Sequence, residues 1–228
     1  MKFTYYGHSC FAVEIEGAKL LFDPFISPNP LAKHIDMKSI EADFILVSHG
    51  HSDHITDCVE LTLQTYAKVI TTWEIYEWLT RKGLPDVHPM NTGGKWNFGA
   101  FVVKCVAAQH SSGLPDGSYG GNPLGFIVTT KKEGTFYYSG DTALTLDMQL
   151  VPRWAPDLKF AVLPIGDNFT MDAEDAVECA RMINCKTIIG AHYDTFGLIK
   201  IDHGQAVETF RKAGITLHLM EIGASRIF

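Results

Sequence analysis

The sequence lacks three features that would assign it to large classes of protein: a long apolar run, a basic stretch and a paired-cysteine spacing. No apolar run approaches the ~18 residues of a membrane span, and the N-terminus lacks the basic, apolar and small-residue order of a signal peptide. Lys and Arg number 19 against 26 Asp and Glu, and no basic run exceeds Lys131-Lys132 or Arg211-Lys212. We therefore expect no membrane contact, and the missing basic stripe disfavours nucleic acid as a partner.

Cysteine is scarce, and its spacing does not suggest disulfides. The five residues form no CxxC motif and lie in or beside apolar segments: Cys10, Cys58, Cys105, Cys179 and Cys185. Disulfide frameworks use an even number of cysteines at regular spacings. The pattern favours reduced, packed thiols and predicts a cytoplasmic protein.

The composition is that of an ordinary globular protein. The 228 residues are 46% hydrophobic and 20% charged, which is enough apolar material for a full core. No linker or low-complexity tract divides the chain, so we expect one domain over residues 1–228. The sequence leaves the oligomeric state open, a homo-oligomer included.

Hydrophobic periodicity predicts alternating strands and helices. Residues 11–22 read as a β-hairpin, and the continuous apolar run 44–47 is typical of a strand covered on both faces. Thr71 with Glu74 fits a capping box for a helix that stops at Gly83. Further strands are predicted at 68–71, 101–107, 124–129, 135–138, 159–164, 186–190 and 215–219, with helices at 58–66, 73–82, 173–183 and 205–213. Such alternation indicates α/β layering.

The segment 49–54, His-Gly-His-Ser-Asp-His, concentrates metal-binding side chains. Zinc prefers imidazole nitrogen and carboxylate oxygen, and the small Gly50 and Ser52 allow neighbouring side chains to converge. The alternative is a polar loop of solvated surface histidines. The candidate ligands in this segment are His49, His51, Asp53 and His54.

Three more candidate ligands each follow a predicted strand. They are His110, Asp141 and His192. Ligands at the ends of several strands can meet at one edge of a sheet, where α/β folds tend to place their sites. We therefore expect them to join the 49–54 segment.

These residues carry a family resemblance. The HxHxDH segment, the distant His110, the Asp of Tyr138-Ser139-Gly140-Asp141-Thr142 and the final His of Gly190-Ala191-His192-Tyr193 resemble the metallo-β-lactamase superfamily. Gly7-His8-Ser9-Cys10, Asp23-Pro24 and residues 163–171 further resemble a subgroup of small bacterial and archaeal metal-dependent hydrolases, of the UPF0173 type. The resemblance implies an α/β fold of four layers, an αββα sandwich with two sheets back to back and helices outside.

The resemblance also implies a site for two divalent metal ions. Zinc is expected first, with manganese and iron left open because ligand type narrows the metal without fixing it. A hydroxide held between the ions would attack a small-molecule lactone, ester or phosphodiester, and catalytic Asp53 would take up or pass on a proton. Lactonases belong to the wider superfamily, which makes a lactone the first guess. Carried over by motif, the first ion takes His49, His51 and His110, the second takes Asp53, His54 and His192, and Asp141 bridges them.

Several other functions occur on the implied fold. A nuclease or phosphodiesterase would be expected to add an RNA-gripping arm, for which this chain has neither length nor basic charge. Di-iron redox relatives replace the second histidine of HxHxDH with Glu and carry a flavin domain, whereas His51 is present here. Glyoxalase-type thioesterases are disfavoured because they add a C-terminal helical domain, whereas only 36 residues follow His192 here. A non-catalytic metal-binding protein is disfavoured by the complete ligand set.

The remaining polar residues are less decisive. His8 and Asn168 are predicted to bind substrate, against a structural hydrogen-bonding role for the first and a plain turn role for the second. Asp23 is favoured as a turn residue over a carboxylate that orients a ligand histidine. Residues 111–123, rich in Gly, Ser and Pro, are predicted to form a mobile loop beside the site, a candidate lid. The other histidines are expected at the surface or at helix ends, or in the Pro-rich loop: His88, His203, His218 and His34.

Overall fold

The computed structural model describes all residues, 1–228. Its fourteen strands are β1 (Lys2–Gly7), β2 (Cys10–Ile15), β3 (Ala18–Phe22), β4 (Phe44–Leu46), β5 (Lys68–Thr72), β6 (Val87–Met90), β7 (Lys95–Asn97), β8 (Phe101–Ala107), β9 (Leu124–Thr130), β10 (Thr135–Tyr138), β11 (Leu158–Pro164), β12 (Thr187–Ala191), β13 (Thr216–His218) and β14 (Ser225–Ile227). Its six α-helices are α1 (Ser52–Ile55), α2 (Cys58–Thr65), α3 (Trp73–Arg81), α4 (Val151–Trp154), α5 (Ala173–Met182) and α6 (His203–Lys212).

The strands form two seven-stranded mixed sheets. The order in the first is β14-β1-β2-β3-β4-β5-β6, and in the second β13-β12-β11-β10-β9-β8-β7. In the first sheet the pairs from β14 to β3 are antiparallel and those from β3 to β6 are parallel. The second sheet repeats this division, with antiparallel pairs from β7 to β10 and parallel pairs from β10 to β13. Each sheet therefore has a parallel half whose strand ends share one edge.

An aromatic core lies between the sheets. Phe11 stacks on Phe22 with ring centroids 4.5 Å apart, and Phe136 stacks on Phe160 at 5.0 Å. Phe22 and Phe136 join the two pairs at 5.8 Å across the interface. Two further apolar clusters pack α5 and α6 on the second sheet and α2 and α3 on the first. The predicted four-layer αββα sandwich is confirmed.

One helix boundary differs from the prediction. The N-cap of α3 is Thr72, whose side chain accepts a hydrogen bond from the Ile75 amide, and not Thr71. The hydroxyl of Thr71 instead donates to the Val47 carbonyl at 3.0 Å, so it is held within the first sheet. At the other end, Gly83 follows the helix with φ of 89°, as the predicted stop requires.

The structure also places the cysteines and those histidines that lie outside the candidate site. All five cysteines are free and buried, as predicted. His203 begins α6, while His88 and His218 are partly exposed and lie in strands β6 and β13. No helix combines the length and the apolar character that crossing a membrane requires.

Candidate metal centre

Strand ends from both sheets deliver the site residues. β4 ends at Leu46, shortly before His49, and α1 begins at Ser52 within the HxHxDH segment. In the second sheet, β8, β10 and β12 end before His110, Asp141 and His192 respectively. The expected convergence of strand ends is therefore observed.

The first group of donors consists of His49, His51 and His110. One ring nitrogen of each lies within 4.8 Å of the others. His49 Nε2 and His51 Nδ1 are 3.0 Å apart, and the His110 ring centroid is 5.1 Å and 5.0 Å from those of His49 and His51. His49 is buried, while His51 and His110 are partly exposed, so this group opens to solvent.

The second group of donors consists of His8, Asp53, His54 and His192, again with one donor atom each within 4.8 Å. Asp53 Oδ2 lies 3.0 Å from His8 Nε2, 3.7 Å from His192 Nε2 and 3.9 Å from His54 Nε2. The three imidazoles are buried, and Asp53, with 24% of its side chain exposed, is the most accessible member.

Asp141 lies between the two groups. Its side chain is buried, and neither carboxylate oxygen accepts a hydrogen bond of good geometry. Asp141 Oδ2 is close to histidine Nε2 atoms from both groups, at 3.0 Å from His192, 3.1 Å from His54, 3.7 Å from His110 and 3.9 Å from His49.

A buried carboxylate, Asp23, orients two imidazoles of the site. His54 Nδ1 donates to Asp23 Oδ2 at 2.8 Å. The Ser48 hydroxyl donates to the same oxygen at 2.6 Å and therefore accepts from His49 Nδ1 at 2.9 Å. Both histidines then present Nε2 to the cluster. Asp23 occupies a turn, with φ of 41°. The expectation that Asp23 is a turn residue and not a carboxylate that orients a histidine is wrong.

Two site histidines also sit in left-handed turns. His8 and His192 have φ values of 56° and 54°, a region that costs non-glycine residues free energy and that persists where surrounding contacts enforce it. The His192 amide donates to the His8 carbonyl at 2.9 Å, and the Tyr5 hydroxyl donates to that carbonyl as well. These bonds tie the two turns together, one from each sheet.

The 111–123 loop lies beside the first group, as predicted. Ser111 Oγ is 3.1 Å from His51 Nε2, and the Gly50 amide donates to Ser112 Oγ at 3.0 Å. Trp78 Nε1 donates to Asp116 at 2.6 Å, which fastens the loop to α3. These contacts hold the loop in a defined place, and its role as a lid stays a prediction.

Without a bound cation, protonated histidines offset carboxylate charge within the cluster. Burial lowers the pKa of His192, but the charge of Asp141 and the close approach of the Asp141 and Asp53 carboxylates raise it to about 9. Burial raises the pKa of Asp141, but the charges of His192 and His54 hold it well below its usual range. Burial lowers the pKa of His49, which keeps that imidazole neutral, the form that binds metal. A cation entering the cluster would compete with the protons on His54 and His192.

The residues fit a divalent cation. Imidazole nitrogen and carboxylate oxygen are ligands that zinc prefers. Among the buried polar atoms without a hydrogen-bond partner are His54 Nε2 and both oxygens of Asp141. A buried polar atom left unpaired costs about 1–3 kcal/mol, a cost that a bound cation would remove. The His/Asp cluster is thus able to bind metal.

Of the two predicted substrate-binding residues, the structure brings only His8 to the cluster. Asn168 is exposed in the turn after β11, with φ of 54°, and its side chain makes no hydrogen bond to the cluster. Sequence reasoning missed Ser48, Tyr138, Thr195 and Ser111 as partners of site residues. Ser48 and Ser111 adjoin ligand histidines in the chain, and that adjacency was the available signal.

Comparisons with known proteins agree with this geometry. A family model described as a beta-lactamase superfamily domain matches residues 18–193. A UPF0173 metal-dependent hydrolase of Methylacidiphilum infernorum is 46% identical over 227 residues, covering 100% of both chains. Igni18, a metallo hydrolase from the hyperthermophilic archaeon Ignicoccus hospitalis, is 32% identical with a TM-score of 0.88, covering 100% of this chain and 98% of that one.

A more distant structure shares the fold alone. An isothiocyanate hydrolase from Delia radicum gut bacteria is 19% identical with a TM-score of 0.79, covering 100% of this chain and 99% of that one. The family resemblance of the motifs is confirmed by the family model and by the relatives over the whole length. The chain belongs to the UPF0173 metal-dependent hydrolases of the metallo-β-lactamase superfamily.

Proposed function

We propose that the cluster holds two divalent metal ions, for which zinc is the leading candidate. We further propose that the protein hydrolyses a small-molecule lactone, ester or phosphodiester. The position of Asp141 carries this proposal. Its Oδ2 is within 3.9 Å of Nε2 atoms from both donor groups, and its oxygens lack hydrogen-bond donors. A carboxylate so placed suits a bridge between two cations.

Each ion would take one donor group. His49, His51 and His110 would hold the first ion, while Asp53, His54 and His192 would hold the second. Hydrogen bonds on the outer ring nitrogens support this division, because Ser48, Ser111 and Asp23 orient His49, His51 and His54 respectively.

Bound ions would supply Lewis acidity that lowers the pKa of water and polarises the carbonyl or phosphoryl oxygen under attack. The protein's own contribution begins with Asp53, whose partial exposure gives its carboxylate access to the substrate side. Burial raises the pKa of Asp53, but the charge of His54 and the close contacts with His192 and His8 hold it well below its usual range. Asp53 therefore stays ionised and is placed to receive a proton and pass it to solvent.

The substrate class follows from charge and space. The net charge of −7 and the scattered basic residues give no track for a polynucleotide backbone, which disfavours the nuclease alternative. The first donor group opens to solvent, so small esters and phosphodiesters can approach it. A lactone remains our first choice, and the isothiocyanate hydrolase of the same fold adds an isothiocyanate to the compounds to test.

The proposal also excludes redox chemistry and assigns a location in the cell. A di-iron oxidoreductase is disfavoured because His51, the position that redox relatives replace with Glu, lies 3.0 Å from His49 within the first group. Five free, buried thiols support a cytoplasmic location, and the absence of a linker supports one domain over residues 1–228.

The test is hydrolysis by purified, metal-loaded protein. A lactone panel, a carboxylic ester, a generic phosphodiester and an isothiocyanate are assayed beside chelator-treated protein, with metal equivalents measured on the same samples. We expect chelator-sensitive turnover of a lactone and two bound equivalents. A preference for the phosphodiester would move the substrate to nucleotides or phospholipids, and turnover that survives complete metal removal would overturn the proposal.

A further inference from the structure

His8 occupies a position that the two-ion proposal does not use. It sits in the turn between β1 and β2, outside the HxHxDH segment, and its side chain is fully buried. Its Nε2 lies 3.0 Å from Asp53 Oδ2, and its ring centroid lies 4.2 Å from that of His192. One nitrogen of His8 is within 4.8 Å of the donor atoms of Asp53, His54 and His192.

The outer nitrogen of His8 is held as in the other site histidines. His8 Nδ1 lies 3.0 Å from Thr195 Oγ1, and the Thr195 hydroxyl donates its single proton to the Tyr193 carbonyl at 3.4 Å. In the tautomer that carries the proton on Nδ1, Thr195 Oγ1 accepts from His8, and the lone pair of Nε2 faces the Asp53 carboxylate. Two acceptors 3.0 Å apart repel each other, and a cation between them converts that repulsion into coordination.

A substrate-binding role fits His8 poorly. Both ring nitrogens are engaged, at Asp53 and at Thr195. The rings of Phe25 and Phe196 cover the imidazole, with centroids 5.5 Å and 5.3 Å away. No nitrogen is left for a substrate to reach.

We infer that His8 is a further ligand of the second metal ion, beside Asp53, His54 and His192, an inference that rests on the proposed two-ion centre. The second ion then has three imidazoles and one carboxylate in a buried pocket before Asp141 is counted. The first ion has three imidazoles, two of them partly exposed. Catalytic zinc sites keep an open position and structural ones are closed, so the first ion is the exchangeable one and the second is held more tightly.

The experiment measures metal affinity, not turnover. Zinc is titrated into metal-free wild type, His8→Gln and the matched control His88→Gln in competition with a chromophoric chelator. Cobalt titration adds a readout, because the visible absorption of Co²⁺ responds to the number and type of its ligands. We expect two equivalents in wild type and in His88→Gln. In His8→Gln the affinity of the more tightly bound zinc ion should fall by about 100-fold, while that of the other ion is unchanged. Removing a partner that only orients a ligand already costs about 10–100-fold in metal affinity.

Thr195→Val provides a second variant should His8→Gln fail to fold. It keeps the imidazole and removes the hydroxyl that orients it, so the tighter equivalent should weaken by about 10-fold. Wild-type zinc affinities and cobalt spectra in both variants would overturn the inference, and would leave His8 as a hydrogen-bond donor to Asp53. If wild type itself holds one ion, the two-ion proposal fails, and His8→Gln still shows whether that ion uses His8.

Discussion

Asp23 Oδ2 accepts a hydrogen bond from His54 Nδ1 at 2.8 Å, and both side chains are fully buried. The same carboxylate accepts from the Ser48 amide and hydroxyl and from the Tyr138 hydroxyl. Tyr138 ends β10 in the second sheet, whereas Asp23 follows β3 in the first. One carboxylate thus joins the two sheets and fixes two imidazoles of the candidate metal centre.

Asp23→Asn should weaken metal binding without removing a ligand. The amide keeps the shape of the carboxylate. Its NH2 group, however, is a donor, and placed at Oδ2 it would face three other donors, from His54, Ser48 and Tyr138. We expect metal affinity to fall by about 10–100-fold, the usual effect of losing a partner that orients a ligand. Chelator competition measures this, with the exposed Asp157→Asn as control. Wild-type affinity in Asp23→Asn would show that His54 holds its orientation without the carboxylate.

Asp141→Ala tests the proposed bridge. A carboxylate shared by two ions contributes to both, so we expect bound metal to fall below the wild-type level in elemental analysis. The rise in melting temperature on adding metal should shrink as well, because a ligand of the folded state stabilises it by an amount that grows with the logarithm of its affinity. Asp147→Ala, an exposed acid in the next segment, should match wild type in both measurements. Unchanged stoichiometry in Asp141→Ala would remove the bridging assignment.

The strand ends and the positions of the candidate ligands could be predicted from the sequence for a physical reason. Buried strands have strong apolar periodicity, and polar side chains directly after them must lie at a sheet edge. His49, His110, Asp141 and His192 follow that rule. The short β6, β7 and β14 were missed because most of their residues are exposed or half-buried and show no apolar alternation.

The partners of the ligands were not accessible from the sequence. Asp23 and Tyr138 are 115 positions apart and meet only because the two sheets pack face to face. His8 reaches Thr195 across 187 positions for the same reason. Such contacts depend on strand register and sheet packing, which local periodicity does not encode. The Asp23 role was therefore misjudged from its turn position alone.

Gly166→Ala should disturb the turn that carries His192. A Cβ at Gly166 would meet the His192 carbonyl oxygen at 1.9 Å, and that oxygen belongs to backbone that cannot rotate away. We expect a loss of about 1–3 kcal/mol or more in the free energy of unfolding, measured with urea, together with weaker metal binding. Gly197→Ala is the matched control, because its Cβ would meet nothing within 4 Å. Equal stability of the two variants would contradict the close approach.

The contact between Trp78 and Asp116 should respond to acid in one direction. Hydrogen bonds from the Ser118 side chain and amide, and then from Trp78, lower the pKa of Asp116 to about 2. The pKa of Asp116 is lower in the folded state than its unfolded value of ~3.9. The stabilising contact with Trp78 is therefore fully present above pH ~3.9 and is lost as pH falls through about 2. The Trp78 indole NH resonance, assigned with Trp78→Phe, should stay constant from pH 7 to about 4 and move below it. A shift centred near pH 4 would show that the carboxylate is free.

The 111–123 loop can be tested as a lid by releasing its anchor. Asp116→Ala removes the acceptor for Trp78 and Ser118 at an exposed position, so the free energy of unfolding should change little. Ser111 and Ser112 at the base of the loop contact the HxHxDH segment, so greater freedom at the tip should reach the mouth of the site. We expect KM for the preferred substrate to rise severalfold with little change in melting temperature, while Asp157→Ala leaves both unchanged. A fall in melting temperature with KM unaltered would mean that the loop is a structural clamp on α3.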